Sequence, residues 1–548
     1  MAEGTGKIII QKPYLGWVPT MGTAISYAST PNSLESTTGL TAESIIAYPP
    51  ALYQDYAFSQ SVMINRPGYE SHISPGPQFT ALTDNSGGNV NGLALNAVNA
   101  PDGNCYVLLD SNRYMEINPA TQTITSTYAT VGTTAGTHSG HSGFTTAFGD
   151  VCIYPTFTNG TQTGYYGYAT WTDGTDGDIA QFLGGSVTSN YYTGTLSGTA
   201  LIKGVPHPLL AATNIDQNVY FGNGAYLGKF NPITPSHTDQ ALVLPPGWII
   251  NGLTTYQDYI AIIAYRVNNF SQNPTLASAS KLYLWNGYDA VASFQYDLQD
   301  NFASNMFFDG ANLYVITFGR NDTVKLKKFN GQGFDLLWES AIAGGFPGGT
   351  TSPNPCFGAM DLWLNHLVWS NNTTGAINGY GTPSQQFPSG FHSMMFQTGN
   401  NGMCKNLYGS LLFIGNKTGN TYTLYYSDLT KYDSTAMYIS PLYALPTNST
   451  INYVKLYSSY WPSAASQLNV EIDKDYTPLG PQPPNGWQWL ATGGTNSYYL
   501  ASTQQTNQTV DNVNSFYLSL QWGGNATGAT CPIIRKVEVG YTFNTDNI

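Results

Sequence analysis

The chain has 548 residues, more than one hydrophobic core usually serves, since cores stop growing near roughly 250 to 300 residues, so more than one domain is expected. Charged residues make up 9% of it, against 41% hydrophobic and 14% aromatic, which excludes disorder and leaves neutral Gly, Thr, Ser, Asn and Tyr to cover the surface. The net charge of -13, with arginine only at Arg66, Arg113, Arg266, Arg320 and Arg535, disfavours tight nucleic-acid binding, although an acidic wall could surround DNA without holding it.

The start, Met1 to Tyr14, carries one short apolar run, Ile8 to Ile10, too brief for a signal peptide. No later stretch is long and apolar enough for a membrane helix, so the expectation is a soluble product made in a cytoplasm, with no membrane insertion. Residues 1–87 are rich in Pro, Gly and Tyr and read as an extended N-terminal arm for assembly and docking. Its one moderate helix candidate, Ala42 to Tyr48, stops at Pro49-Pro50. Its one good strand, Gln78 to Leu82, is placed to close a ring by joining the last blade of a propeller.

Residues 88–447 carry an internal repeat. An aromatic residue or Ile precedes Asn and then Gly or Pro in Ile117-Asn118-Pro119, Phe230-Asn231-Pro232, Trp285-Asn286-Gly287, Phe329-Asn330-Gly331 and Ile377-Asn378-Gly379. Degenerate copies at Trp171-Thr172-Asp173-Gly174 and Tyr426-Ser427-Asp428 bring the count to seven, at intervals of roughly 45 to 60 residues, the range of a four-stranded propeller blade. Upstream of each lies a short β-branched and aromatic run, beginning at Cys105, Val151, Asn218, Tyr259, Asn312, His366 and Ser410. Such runs are expected of blade strands buried on both faces. The Asn phrases would reverse the chain while the preceding aromatic packs between blades. A β-propeller, seven-bladed, is the expected fold, and six or eight blades remain open where a copy is degenerate.

From residue 448 to 548 the pattern changes to longer alternating strands with one buried face: Leu468, Val470 and Ile472 on one, Phe516, Leu518 and Leu520 on another. Further strands read from Tyr453 to Tyr460, Trp487 to Leu490, Tyr498 to Ala501 and Val537 to Phe543. This is a C-terminal β-sandwich, jelly-roll-like, and the whole chain is all-β.

The five cysteines, Cys105, Cys152, Cys356, Cys404 and Cys531, are odd in number and widely spaced, and read as small buried hydrophobes. No sialidase box, arginine triad, nucleophile elbow, Walker loop or dinucleotide fingerprint is present. Asp110, Asp216, Asp309 and Glu339 lie on or beside predicted strands, but nothing in the sequence pairs them as a glycosidase requires. Asp173, Asp176 and Asp178 have the oxygen-rich character calcium favours without the EF-hand spacing, and read as a solvated turn. His138 and His141 lack a third ligand for a metal. The many tyrosines read first as core and interface packing, with Tyr165, Tyr166, Tyr168 and Trp171, on blade loops, as the alternative candidates for stacking against sugars. No catalytic, cofactor-binding or metal residue is assigned, no cofactor is expected, and the chain reads as a structural protein, not an enzyme.

Pro13-Tyr14-Leu15-Gly16-Trp17, Arg66-Pro67-Gly68 and Ser74-Pro75-Gly76-Pro77, followed by the seven-fold repeat, resemble virion proteins of tailed bacteriophages, in particular propeller-containing tail and nozzle proteins. The resemblance is one of architecture and covers the chain loosely. It implies a structural subunit of a homo-oligomeric ring in the phage tail, assembled in the host bacterial cytoplasm. Its partners would be copies of itself, adjacent tail or head-tail proteins and enclosed, loosely held DNA. The rival expectation is a carbohydrate-binding or receptor-binding propeller, at a virion tip or secreted, that recognises a host glycan; a glycoside hydrolase is a third.

Overall fold

The computed structural model describes residues 3–10, most of 58–130, 149–339 and 358–460, and 467–474, 486–492, 502–506, 509–523 and 532–544. The helix candidate at Ala42 to Tyr48, the strand at Tyr498 to Ala501, the Pro13 to Trp17 motif, and His138, His141, Asp173, Asp176, Cys356 and Cys531 lie outside the described residues. Among the described residues the elements are strands, apart from one π-helical turn at Tyr191–Thr195. No helix among the described residues is long and apolar enough to cross a membrane.

Seven sheets, antiparallel apart from one short parallel pair in the first, follow one another along the chain as the blades of a propeller. Their first strands are Ala94–Asn99, Val151–Thr158, Leu209–Ala212, Trp248–Tyr256, Phe302–Phe308, Met360–Trp363 and Asn400–Leu407. Each of these touches the next, and the seventh returns to the first, so they line a closed axis. Apolar side chains fill the spaces between successive blades: Val107 and Met115 of the first blade, for example, pack with Phe413 and Leu424 of the seventh. The buried runs found in the sequence are second strands in six blades, as at Cys105–Leu109 and Leu313–Phe318, and the first strand in the second blade, Val151–Thr158.

The aromatic-Asn phrase ends the third strand in the first, third, fourth and fifth blades. There the Asn Oδ1 accepts hydrogen bonds from the second and third following N–H groups, as when Asn330 takes those of Gln332 (3.0 Å) and Gly333 (2.8 Å). Asn118, Asn231 and Asn286 repeat the arrangement. The side chain stands in for the backbone acceptor that a tight turn needs. Ile117, Phe230, Trp285 and Phe329 before them are buried. The other copies differ in position: Trp171 falls one strand early, because the second strand of its blade runs on from Thr161 to Thr172, and the Ile377 and Tyr426 copies lie inside the strands Ala376–Gly381 and Thr421–Tyr432 and not at a turn.

Ring closure uses the strand Pro77–Ala81, which pairs antiparallel with Thr421–Tyr432 of the seventh blade, Thr80 facing Tyr426. Two residues later Thr83–Asp84 pairs with Thr123–Ile124 of the first blade. One short segment therefore joins the outer edges of the last and first blades, and two sheet edges are covered.

The N-terminal segment differs from a strand-poor arm. Glu3–Ile10 pairs along its whole length with Ile533–Asn544, Phe58–Gln60 pairs with Met437–Ile439, and the hairpin of Val62–Arg66 and Tyr69–Pro75 reaches the same sheet through Ile73 and Ile534. The C-terminal sheet also begins before residue 448, at Met437. Eleven strands thus form one hydrogen-bonded set. Within it Tyr443–Tyr460 pairs first with Val510–Gly523 and then with Ile533–Asn544, wrapping the sandwich around one core. Leu468, Val470 and Ile472 stand opposite Trp522, Leu520 and Leu518 in that core. The alternation suggested that only this face is buried, but the opposite face holds Glu471, Asp473, Tyr517 and Ser519, all buried as well.

Candidate functional site on the propeller axis

Four of the first strands bulge near their start: between Ala94 and Asn96, Ile250 and Gly252, Ala303 and Asn305, and Asn401 and Cys404. A bulge leaves one residue outside the ladder and re-aims its neighbours. Here polar side chains are brought to the axis. They line a cavity of about 260 Å³ whose polar residues include Asn96, Asp150, Asn251, Ser304, Asn305 and Lys405.

Asp150 precedes the first strand of the second blade and holds three blades together. Its Oδ2 accepts from the Leu209 N–H of the third blade at 2.6 Å, and its Oδ1 from Asn96 Nδ2 of the first blade and from its own neighbour Val151 N–H at 2.9 Å. Burial pushes its carboxyl up from 3.8 to about 6, against the pull of these donors and of Lys405. Asp361 in the sixth blade repeats the pattern. Its Oδ1 accepts from Leu362 N–H (2.8 Å) and its Oδ2 from Asn406 N–H of the seventh blade (3.0 Å). Burial raises this carboxyl too, and Lys405, whose Nζ lies 3.8 Å away, opposes the shift. Asn251 Nδ2 donates to Ala303 O of the next blade at 2.7 Å. The Ser304 hydroxyl, in a residue 2% exposed, has no hydrogen-bond partner.

The axis is narrow. Gly358 N–H of the sixth blade donates to Leu95 O of the first at 3.2 Å, and a Cβ on Gly358 would stand 2.5 Å from that oxygen. Only a residue without a side chain permits so close an approach of two backbones.

The carboxylates singled out from the sequence do not converge. Asp110 accepts from Leu93 N–H, Asp216 pairs with Lys229 at 3.0 Å, Asp309 accepts from Ala311 and Asn312 N–H in its own turn, and Glu339 lies 3.9 Å from Lys325. None lines the cavity. Asp178 is buried, not in a solvated turn, and its Oδ1 accepts from Ile179 N–H at 2.7 Å. Tyr165, Tyr166, Tyr168 and Trp171 lie on the strand Thr161–Thr172 rather than on loops. Tyr165, Tyr168 and Trp171 are buried, and Trp171 Nε1 donates to Ser189 O at 2.6 Å. Cys105, Cys152 and Cys404 are buried free thiols. Among the described residues no three His, Cys, Asp or Glu side chains are grouped to hold a metal.

Neither Asp150 nor Asp361 stands in a motif. The available signal was a polar residue interrupting the apolar stretch ahead of a second-strand run, as in Leu95-Asn96-Ala97, Ile250-Asn251-Gly252 and Met360-Asp361-Leu362.

No family model matches the sequence, and no curated protein matches it. A solved structure, an exo-β-1,3-galactanase from Phanerochaete chrysosporium with galactose, is 11% identical, with 64% of this chain and 99% of that chain covered and a TM-score of 0.28. A likeness of that size carries no argument about function.

Proposed function

We propose that this chain is a structural subunit of a tailed-phage virion, a tail or nozzle ring protein that assembles with copies of itself and docks on adjacent tail or head-tail proteins. The observation that carries the reading is the use made of the axial carboxylates. Asp150 and Asp361 accept backbone N–H groups from neighbouring blades, which is the work of a framework. The net charge of -13 would keep DNA from adhering to a lumen formed by several copies. Light scattering on the purified chain tests this: an oligomer of defined stoichiometry is expected, and a monomer at micromolar concentration overturns it.

A carbohydrate-binding propeller is the second reading, and the unpartnered Ser304 hydroxyl in a polar cavity favours it. A monomer that retains a sugar on a glycan array would establish that reading in place of the first.

A further inference from the structure

Two of the axial bulges release a side chain at matching places in neighbouring blades. Asn251 in the fourth blade and Ser304 in the fifth are the residues left out of their ladders, and both line the axial cavity. They are neighbours, because Asn251 Nδ2 donates at 2.7 Å to the carbonyl of Ala303, the residue before Ser304. Ser304 is 2% exposed, and its hydroxyl has no hydrogen-bond partner. From the seventh blade Lys405 brings an ammonium group to the same space, and its ion pair with Asp361 Oδ2, at 3.8 Å, is too long to be a hydrogen bond.

The two ends of the cavity differ. In Phe302–Phe308 the first four residues are buried and Met306, Phe307 and Phe308 are partly exposed; in Trp248–Tyr256 the change comes at Leu253. Asn251 and Ser304 therefore stand at the deep end, and Leu253, Thr254, Phe307 and Phe308 at the open one, where first strands turn into second strands. On the deep side the sixth and first blades meet through Gly358 N–H and Leu95 O. The charged groups at the cavity are already engaged: Asp150 accepts three N–H groups, and Lys405 and Asp361 offset each other. What is offered to an occupant is a floor of neutral hydrogen-bonding groups beneath aromatic walls. That suits a molecule hydroxylated at its edges and apolar on its faces. A volume of about 260 Å³ is below the roughly 300 to 1,000 Å³ of drug-sized sites, and fits a single ring.

We propose that the axial cavity is a blind pocket for one neutral pyranose unit, and hence for the terminal residue of a glycan and not an internal one. Ring hydroxyls would accept from Lys405 Nζ and bond to Ser304 Oγ, while a C–H face of the ring lies against Phe307 and Phe308. An internal unit has chain leaving on two sides, and the contact of Gly358 with Leu95 bars the second exit. This inference rests on the carbohydrate-binding reading, to which it gives a place and a ligand class.

The test is calorimetric titration of the full chain with the methyl pyranosides of glucose, galactose, mannose and N-acetylglucosamine, run beside a glycan array. Saturable binding of at least one glycoside, at one per chain, is expected, and array binding should follow the terminal residue whatever lies behind it. Ser304→Ala should weaken that binding about three- to tenfold, the loss of one hydrogen bond, and should melt at or above the wild-type temperature because an unsatisfied buried hydroxyl is gone. Thr254→Trp fills the open end with a residue that strands accept, and should abolish binding; if it melts early, Ser304→Ala decides alone. Array binding that survives in a folded Thr254→Trp chain, or glycoside binding unchanged in Ser304→Ala, overturns the pocket and leaves the carbohydrate-binding reading standing. Absence of binding to every glycoside and every array glycan overturns both, the cavity then holding water only.

Discussion

Replacing Asp150 with asparagine should destabilise the propeller by an amount that depends on pH in a particular direction. The amide retains one acceptor oxygen and places an NH2 where Asp150 now accepts either the Leu209 N–H or Asn96 Nδ2. One buried donor is orphaned, at a cost of about 1 to 3 kcal/mol. The carboxylate itself is under strain of another kind, since burial raises it from 3.8 to about 6. A folded chain that holds this proton more tightly than the unfolded one has its full stability contribution below pH 3.8 and has lost it above about 6. At 1.36 kcal/mol per unit, the part lost between pH 4.5 and 7.5 is about 2 kcal/mol. The wild type should therefore lose that advantage over Asp150→Asn on going from pH 4.5 to 7.5, while other titrating groups cancel in the comparison. Urea denaturation of both proteins at the two pH values measures it. A difference that is constant, or that grows with pH, would refute the assignment of Asp150 as a buried clasp with a raised carboxyl.

Lys327→Ala should lower stability by about 2 to 4 kcal/mol, because Lys327 Nζ lies 2.5 Å from Asp300 Oδ2 with both side chains buried and Lys325 only partly replaces it; an unchanged melting temperature would contradict this. Cys105, its thiol raised to about 12 by burial, and Cys152, raised well above 9.0, should not react with a disulfide reagent in the native chain and should react on unfolding, as labelling and peptide mapping would show. Asn330→Ala should cost about 1 kcal/mol through the loss of the bonds from Gln332 and Gly333, and Asn330→Asp, which keeps that acceptor but turns the Nδ2 bond to Asp335 (2.8 Å) into a contact of like charges, should not restore the wild-type value, in paired denaturation curves.

The propeller was legible where structure is local. An Asn that closes its own turn, and an apolar run buried on both faces, carry their signals within a few residues, so Phe230-Asn231-Pro232 and Leu313–Phe318 could be read directly. The strands around the axis were harder, because bulges at Asn251 and Ser304 break the period-two pattern and insert polar residues where an apolar run is expected. The clasps of Asp150 and Asp361 depend on backbone groups 59 and 45 residues away, which no local pattern encodes. Glu3–Ile10 gave too little apolar alternation to mark it as a strand, and its place is set by its partner Ile533–Asn544 at the far end of the chain. Asn469, Glu471 and Asp473 read as a solvated face because alternation reports which residues are polar and not whether a polar face is covered.

The most direct test of the structural reading is electron microscopy of the purified full chain in negative stain, at several protein concentrations. Closed rings of repeated propellers around an open lumen are expected, in agreement with heterologous contacts that close. Single isolated particles of monomer size at every concentration would contradict it.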